Sequence, residues 1–462
     1  MKLREFGKFK EFNNEKILGF RNYIEEAWNK RYCLYDDSEL YDNNLINKQQ
    51  FLIFDGNKIK AKNYVGFISY EDEEVTIYPK VFEENIDKDI LDEYLITNLM
   101  YWLKRSKRIK IPMVDTEVDL QKYDSFLEVL IYIFSKYTFN LIYSKPYNCY
   151  EEIQEEVTYL KGRLNINRYL KENISTGKWN KFNTIHEPFL YNNKFNQIIK
   201  FVSKKLLNIT EDKESKELIN KIIFILDDID NICCNEYSCN EVKLNRLQDD
   251  YEIVLNFCDI FLKSTSLWKN NKEDKINFCF LIPMEILFED FVFNFMKEKF
   301  NDKYKEITAQ KSNLYLAQVM VDDKPLSNVF RLKQDIFLRD LNNNVTILDT
   351  KYKLLNKSED KKYGISQSDM YQMCSYALRG GYNNLALVYP RVDNFNKDIT
   401  YKINSGFNDE LIEIKVIMID YVLSYEKFME TDRRKIELHE FNDKNIEREL
   451  IYKLNNEVDE NE

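Results

Sequence analysis

Two alternating apolar runs, residues 329–339 and 345–353, flank an Asp-Leu-Asn-Asn-Asn stretch at 340–344, and together they read as a β-hairpin. No other stretch constrains the fold as much. Side chains alternate across a strand, so Asp349 and Lys351 project from the same face. If the hairpin pivots at Asn342, Asp335 lies opposite Asp349, and directly opposed residues have Cβ atoms roughly 5 Å apart. Two carboxylates so placed can share one divalent cation, with the lysine within reach of a water or phosphoryl oxygen there. Hard oxygen ligands beside a lysine suit Mg²⁺-dependent phosphodiester cleavage. Asp-x-Lys also arises by chance in a chain that is 31% charged. Here, however, Val345, Ile347 and Leu348 lead straight into Asp349. A carboxylate that ends a buried strand needs a partner or a task.

The sequence after the lysine continues the pattern. Ser366 with Asp369 three residues on forms a capping box, and Gly380-Gly381 ends the helix it opens. Met370, Met373, Cys374 and Ala377 make its core stripe, while Gln372, Tyr376 and Arg379 make a separate polar stripe. The ordinary reading of that second stripe is a solvated helix face. Residues 385–389, ended by Pro390, read as a buried strand, so strand, helix and strand imply a right-handed crossover and a parallel pair. Upstream, residues 283–300 form an amphipathic helix whose apolar stripe is Leu287, Phe288, Phe291, Val292, Phe295 and Met296. Glu289 sits at the stripe's edge, either as a boundary carboxylate or as an acid aimed into the same site.

This order of elements resembles the PD-(D/E)XK nuclease fold, and the Gln-x-x-x-Tyr helix is similar to one found in a branch of that superfamily. PMEILFEDFV, KQDIFLRD, ILDTKYK and SQSDMYQMCSYA together look like the nuclease domain of the McrC family, the cleavage subunits of McrBC modification-dependent restriction systems. Tyr64-Val-Gly66, Ile77-Tyr-Pro-Lys80, Leu160-Lys-Gly-Arg163 and the Asn-rich residues 191–196 extend the likeness from about residue 60 to about residue 390. The resemblance implies Asp335 and Asp349 as metal ligands, Lys351 as the catalytic lysine, and Glu289 and Gln372 as supporting members. Gln334 stands where the motif has Pro, and the second acid is Asp where Glu is the alternative, yet neither change removes a metal-binding oxygen. It further implies Mg²⁺ as cofactor, double-stranded DNA as substrate and an McrB-like AAA+ GTPase as partner in a hetero-oligomer. A non-catalytic adaptor that docks on and stimulates the motor is the alternative, and a stand-alone repair nuclease is a third reading. The intact Asp335, Asp349 and Lys351 set favours the nuclease.

The expected architecture is multidomain α+β or α/β. It has an N-terminal mixed, β-rich partner-docking domain (1–150), a helical linking region (151–280) and a C-terminal nuclease domain with a mixed sheet flanked by helices (281–462). A chain of 462 residues is long enough for two or three cores. Residues 51–54, 64–70 and 74–78 read as strands, with turns at Asp55-Gly56 and 71–73. Residues 89–104, 125–138, 195–207, 218–229 and 251–262 carry helical periodicity, 412–423 is strand-like, and 444–462 is a charged helix with an acidic, disordered end.

A net charge of −11 excludes a general nucleic-acid coat, but not a nuclease with local basic groups. Two such groups are visible. Residues 104–110 are dense in Lys and Arg, and Lys351, Lys353, Lys357, Lys361 and Lys362 surround the proposed site. The first is a solvated surface or a contact for DNA or an acidic partner. Cys233, Cys234 and Cys239 lack the spacing of a zinc site, Cys258, Cys279 and Cys374 read as core, and only two histidines exist. No phosphate-binding Gly-x-x-x-x-Gly-Lys-Ser/Thr loop occurs, so nucleotide hydrolysis would belong to another subunit. No apolar run reaches about 18 residues and no signal peptide opens the chain, so a soluble cytoplasmic protein without a membrane segment is expected.

Overall fold

The hairpin forecast by the alternating runs lies inside a six-stranded mixed sheet. In the computed structural model its order is Tyr304–Val321, Lys324–Asp340, Val345–Thr350, Asn384–Pro390, Leu411–Ile419 and Ile399–Asn404. The model describes residues 1–35, 48–83, 86–111, 123, 125–150, 152–245, 248–264, 277–321, 324–355, 362–392, 397–404, 411–430 and 435–455. Lys357, Lys361 and the acidic end at 456–462 lie outside these described residues.

The first three strands of the sheet run antiparallel; Val345–Thr350, Asn384–Pro390 and Leu411–Ile419 then run parallel. The expected crossover is present as helix Gln367–Gly380. Ser366 Oγ accepts from Asp369 N at 3.2 Å to open it, and Gly381 at φ 67° closes it in the left-handed region. Ile347, Met373, Tyr376, Leu387 and Val416 form the core on that side of the sheet. All six residues of the predicted stripe on helix Met284–Lys299 are buried.

The N-terminal strands belong with this sheet's domain. The chain divides into one compact unit built from residues 1–113 and 279–462 and a second built from 114–278. The second boundary lies close to the expected 280, whereas the first falls at 113 and not at 150, and the two outer segments form one unit. The reason is long-range pairing, for Phe278–Pro283 joins a sheet with Tyr64–Tyr70, Glu73–Tyr78 and Lys2–Arg4. Periodicity along the chain carries no signal for a strand that pairs two hundred residues away.

Gly66 marks that junction. Its φ is 140°, and a Cβ there would lie 2.0 Å from the Phe280 carbonyl oxygen. Gly66→Ala is therefore expected to cost on the order of 3 kcal/mol, combining backbone strain with a clash against main chain that cannot rotate away. Thermal unfolding checks it, and an unchanged midpoint would contradict the account.

The unit 114–278 is mostly helical, as periodicity suggested, with helices Phe126–Ser144, Lys194–Leu207, Lys213–Ile225 and Asp249–Ser264. It also holds a small sheet, Ile153–Val157, Phe182–His186 and Arg163–Leu164, that the helical reading missed. These strands are short, Ile153–Val157 is largely exposed and the buried residues of Phe182–His186 are polar, so they leave little apolar alternation to read. Gly162 at φ 72° turns the chain tightly against His186. Among the described residues no helix is long and apolar enough to cross a membrane.

Candidate active site

Asp335 and Asp349 come together through strand register. The pairs Ile336↔Leu348 through Arg339↔Val345 are those a pivot at Asn342 requires. Continued by one residue, this register sets Asp335 opposite Asp349. Asp340 accepts from the Asn344 amide at 2.7 Å and Asn343 takes φ 65°, which is how an Asp-Leu-Asn-Asn-Asn sequence closes the hairpin.

The two acids sit in different company. Asp335 Oδ2 accepts from Thr350 N at 2.8 Å and Thr350 Oγ1 at 2.9 Å. Asp349 is fully buried, and neither oxygen receives a well-formed hydrogen bond. Lys351 Nζ stands 2.5 Å from Asp349 Oδ2 and donates to Gln372 Oε1 at 3.0 Å. Gln372 Nε2 donates to Tyr376 OH at 2.7 Å, and Tyr376 OH donates to the Lys333 carbonyl. Tyr376 is 1% exposed, so the Gln372/Tyr376 stripe is not a solvated face. It ties the crossover helix to the lysine on one side and to the Asp335 strand on the other.

Burial and then the charge of Asp349 push the Asp335 carboxyl up to about 7. Burial also raises Asp349, against the pull of Lys351, while Asp369 and Glu289 add to the rise. Burial opposes the charge on Lys351, but Asp349 and Asp335 outweigh it and its pKa lies above the usual lysine value. A buried Asp349 and a half-buried Asp335 with one ammonium beside them are short of positive charge.

Glu289 is raised by burial and then by Asp335, which places it within electrostatic reach of the pair. Its own carboxylate is engaged, with Arg108 Nη1 at 3.2 Å and Gln310 Nε2 donating at 2.9 Å. Arg379 lies elsewhere, donating to the Tyr315 carbonyl at 2.7 Å. Among the described residues no three His, Cys, Asp or Glu side chains converge as a metal cluster. The donors that could hold a cation are the opposed Asp335 and Asp349. The two buried oxygens of Asp349, which lack hydrogen-bond partners, fit a hard divalent ion.

Several participants escaped the sequence reading. Thr350 lies inside the Asp-x-Lys motif yet serves the other strand. Asp369, read as a helix cap, also takes Lys353 Nζ at 2.8 Å; burial opposes its charge, but Lys353 and Ser366 hold its carboxyl below the usual range. Gln310 reaches the site from a strand no local pattern connects to it. The basic run 104–110 has largely structural employment. Arg105 pairs with Glu298 at 2.9 Å and Asp443 at 2.5 Å, Arg108 with Glu289, and Asp290 accepts from the amides of Lys107 and Arg108. These partners take much of its charge. The free cysteines among the described residues form no metal site, and of the three read as core only Cys258 is buried, Cys279 and Cys374 being half-buried.

A family model described as a McrBC 5-methylcytosine restriction system component matches residues 59–390. No curated protein matches. One solved structure from Thermococcus gammatolerans is described as a refined half-complex from a tetradecameric assembly of McrB AAA+ hexamers with bound McrC. It aligns at 18% identity with a TM-score of 0.63, covering 95% of this chain and 99% of that chain. A second, described as the cryo-EM structure of the McrBC complex of the same organism, aligns at 20% identity with a TM-score of 0.46, covering 66% and 89%.

Proposed function

The chain belongs to the McrBC 5-methylcytosine restriction system component family, and we propose that it is the DNA-cleaving, McrC-type subunit, with a PD-(D/E)XK active site at Asp335, Asp349 and Lys351. One observation carries this reading: two opposed carboxylates with a lysine 2.5 Å from one of them, held by a glutamine of the crossover helix. Asp335 and Asp349 would hold Mg²⁺. When bound, the ion would supply Lewis-acid polarisation of the phosphate. Thr350 fixes one Asp335 oxygen and leaves the other free to face the ion. Lys351, with its pKa above the usual value, keeps its proton and offsets negative charge developing on the phosphoryl oxygens. Gln372 and Tyr376 orient that ammonium, and Glu289 sets the field around Asp335.

The partner in this reading is an McrB-like AAA+ GTPase that selects modified duplex DNA, in keeping with the McrB hexamers of the fold neighbour. The loops beside the small sheet of the unit 114–278 offer a surface for it. Trp179 is 74% exposed, Tyr159 62% and Leu160 61%, beside the charged Lys161 and Arg163. Large exposed apolar side chains with cations next to them in sequence are a candidate docking face. The sequence places docking in residues 1–150, and this exposed group in 114–278 is a second candidate surface for it. Trp179→Ala combined with Leu160→Ala should weaken partner binding and GTPase stimulation by about 30-fold or more. GTP hydrolysis against subunit concentration reads it, and an unchanged half-maximal concentration would place docking elsewhere.

The test of function is cleavage of modified duplex DNA by the chain assembled with its partner, with Mg²⁺ or with EDTA. Metal-dependent cutting supports the reading. GTPase stimulation without any cutting would make the chain an adaptor.

A further inference from the structure

The Ile77-Tyr-Pro-Lys80 segment has no part in the site described so far, yet it reaches the residue next to the lysine. The strand that carries Asp349 ends at Thr350, and the Lys351 amide still donates to the Val388 carbonyl at 2.8 Å. The chain then turns sharply, with Lys353 N donating to the Lys351 carbonyl at 2.8 Å, so Tyr352 is the central residue of a three-residue turn. Such a turn has little hydrogen bonding of its own. What holds it is the Tyr352 side chain, which is 3% exposed. Its hydroxyl donates to Glu5 Oε2 at 3.2 Å. Its ring packs near Phe288 and Tyr421, with centroids at 5.9 and 6.3 Å, and Lys80 Nζ lies 4.4 Å from its centroid.

Glu5 is itself 3% exposed and fixed by the same segment. Lys80 N donates to Oε2 at 3.1 Å, and Lys80 Nζ stands 3.7 Å from Oε1. The Glu5 amide donates to the Tyr78 carbonyl at 2.9 Å, extending the parallel pairing of Lys2–Arg4 with Glu73–Tyr78. A buried carboxylate is costly to desolvate, and Glu5 is held by Lys80 on one side with one further partner on the other. Tyr352 is that partner.

We propose that Glu5 and Lys80, acting through Tyr352, are positioning residues that lock the turn after Lys351 and so hold its ammonium at Asp349 and Gln372. The inference rests on the proposed cleavage function and extends its site to the N-terminal sheet. Lys351 has a long flexible stem, and each hydrogen bond at its head must offset the rotamer freedom lost. Fixing the backbone on both sides, by Val388 before and by Tyr352 after, removes part of that cost ahead of the reaction. Misplacement of a reacting group by about 1 Å can cost up to 10²-fold in rate.

The experiment compares Tyr352→Phe, Glu5→Gln and Glu5→Leu in the partnered complex by single-turnover cleavage, DNA affinity and GTPase rate. Tyr352→Phe should slow cutting by about 10-fold with DNA affinity and GTPase rate unchanged, since only the turn's anchor is lost. Glu5→Gln should stay within about 3-fold of the wild type, because an amide oxygen still accepts from Lys80 N and from the tyrosine hydroxyl. Glu5→Leu should match Tyr352→Phe, and the two combined should lose no more than either alone, since both remove one anchor. Should Glu5→Leu not fold, Tyr352→Phe against Glu5→Gln decides alone. Wild-type cutting by Tyr352→Phe, or losses shared equally by cutting, DNA affinity and GTPase rate, overturns the proposal. Lys351→Ala separates the two levels. If it is inactive while Tyr352→Phe cuts normally, only this inference fails. If it cuts normally, the lysine has no catalytic role, and both readings fall.

Discussion

If the proposed cleavage function holds, Asp335→Asn and Asp349→Asn are each expected to abolish DNA cleavage by the partnered complex, by roughly 10³-fold or more, while the apo protein becomes no less stable. Loss of cutting follows because each substitution removes one of the two anionic donors available to the cation. The stability expectation follows from sign. Burial and Asp349 raise the folded-state pKa of Asp335 to about 7, whereas an unfolded aspartate titrates near the ordinary value of 3.8. The unfolded chain therefore releases this proton first, and the apo protein loses stability as pH rises from about 4 towards 7. Asn carries no charge and can still accept from the Thr350 amide and hydroxyl. In EDTA the melting temperature of Asp335→Asn should match the wild type near pH 4 and exceed it near pH 7.5. Wild-type cleavage by either variant in Mg²⁺ would end the assignment.

Lys351→Ala behaves differently on both counts. Cleavage is expected to fall by about 10²- to 10³-fold, from loss of charge stabilisation in the transition state. The apo protein also loses stability, because Asp349 is then buried without the ammonium 2.5 Å from it. Mg²⁺ should restore part of that loss by supplying the missing charge, so the melting temperature of Lys351→Ala should respond to metal more than that of the wild type. Gln372→Ala removes an orienting bond and should cost only about 10-fold in cutting. Equal and complete loss in both variants, with no metal response in either, would mean that the crossover helix shapes the fold and not the lysine.

The site's local part was legible because its physics is local. A period of two put Asp349 and Lys351 on one face, and turn chemistry at 340–344 placed the pivot that opposes Asp335 to Asp349. The helix opened by Ser366 and closed at Gly381 was legible for the same reason, since caps are properties of neighbouring residues. Tyr376 was legible only as a position. Its spacing from Gln372 put the two on one face, but a spacing of four residues does not distinguish a solvated stripe from a buried one. The Lys333 carbonyl beneath it makes that difference.

What the sequence by itself determined, then, is the hairpin, its register, the crossover and the acidic pair with its lysine, because pleat, turn and cap act over a few residues. Only the tertiary structure decided that Phe278–Pro283 would pair beside Tyr64–Tyr70, joining residues 1–113 and 279–462 in one compact unit. It alone turned Arg105 and Arg108 of the basic run towards Asp443, Glu298 and Glu289. It alone brought Glu5 under Tyr352, 347 residues away. These contacts stem from burial and charge pairing between segments far apart in the chain. Their strength depends on a geometry that no local spacing encodes.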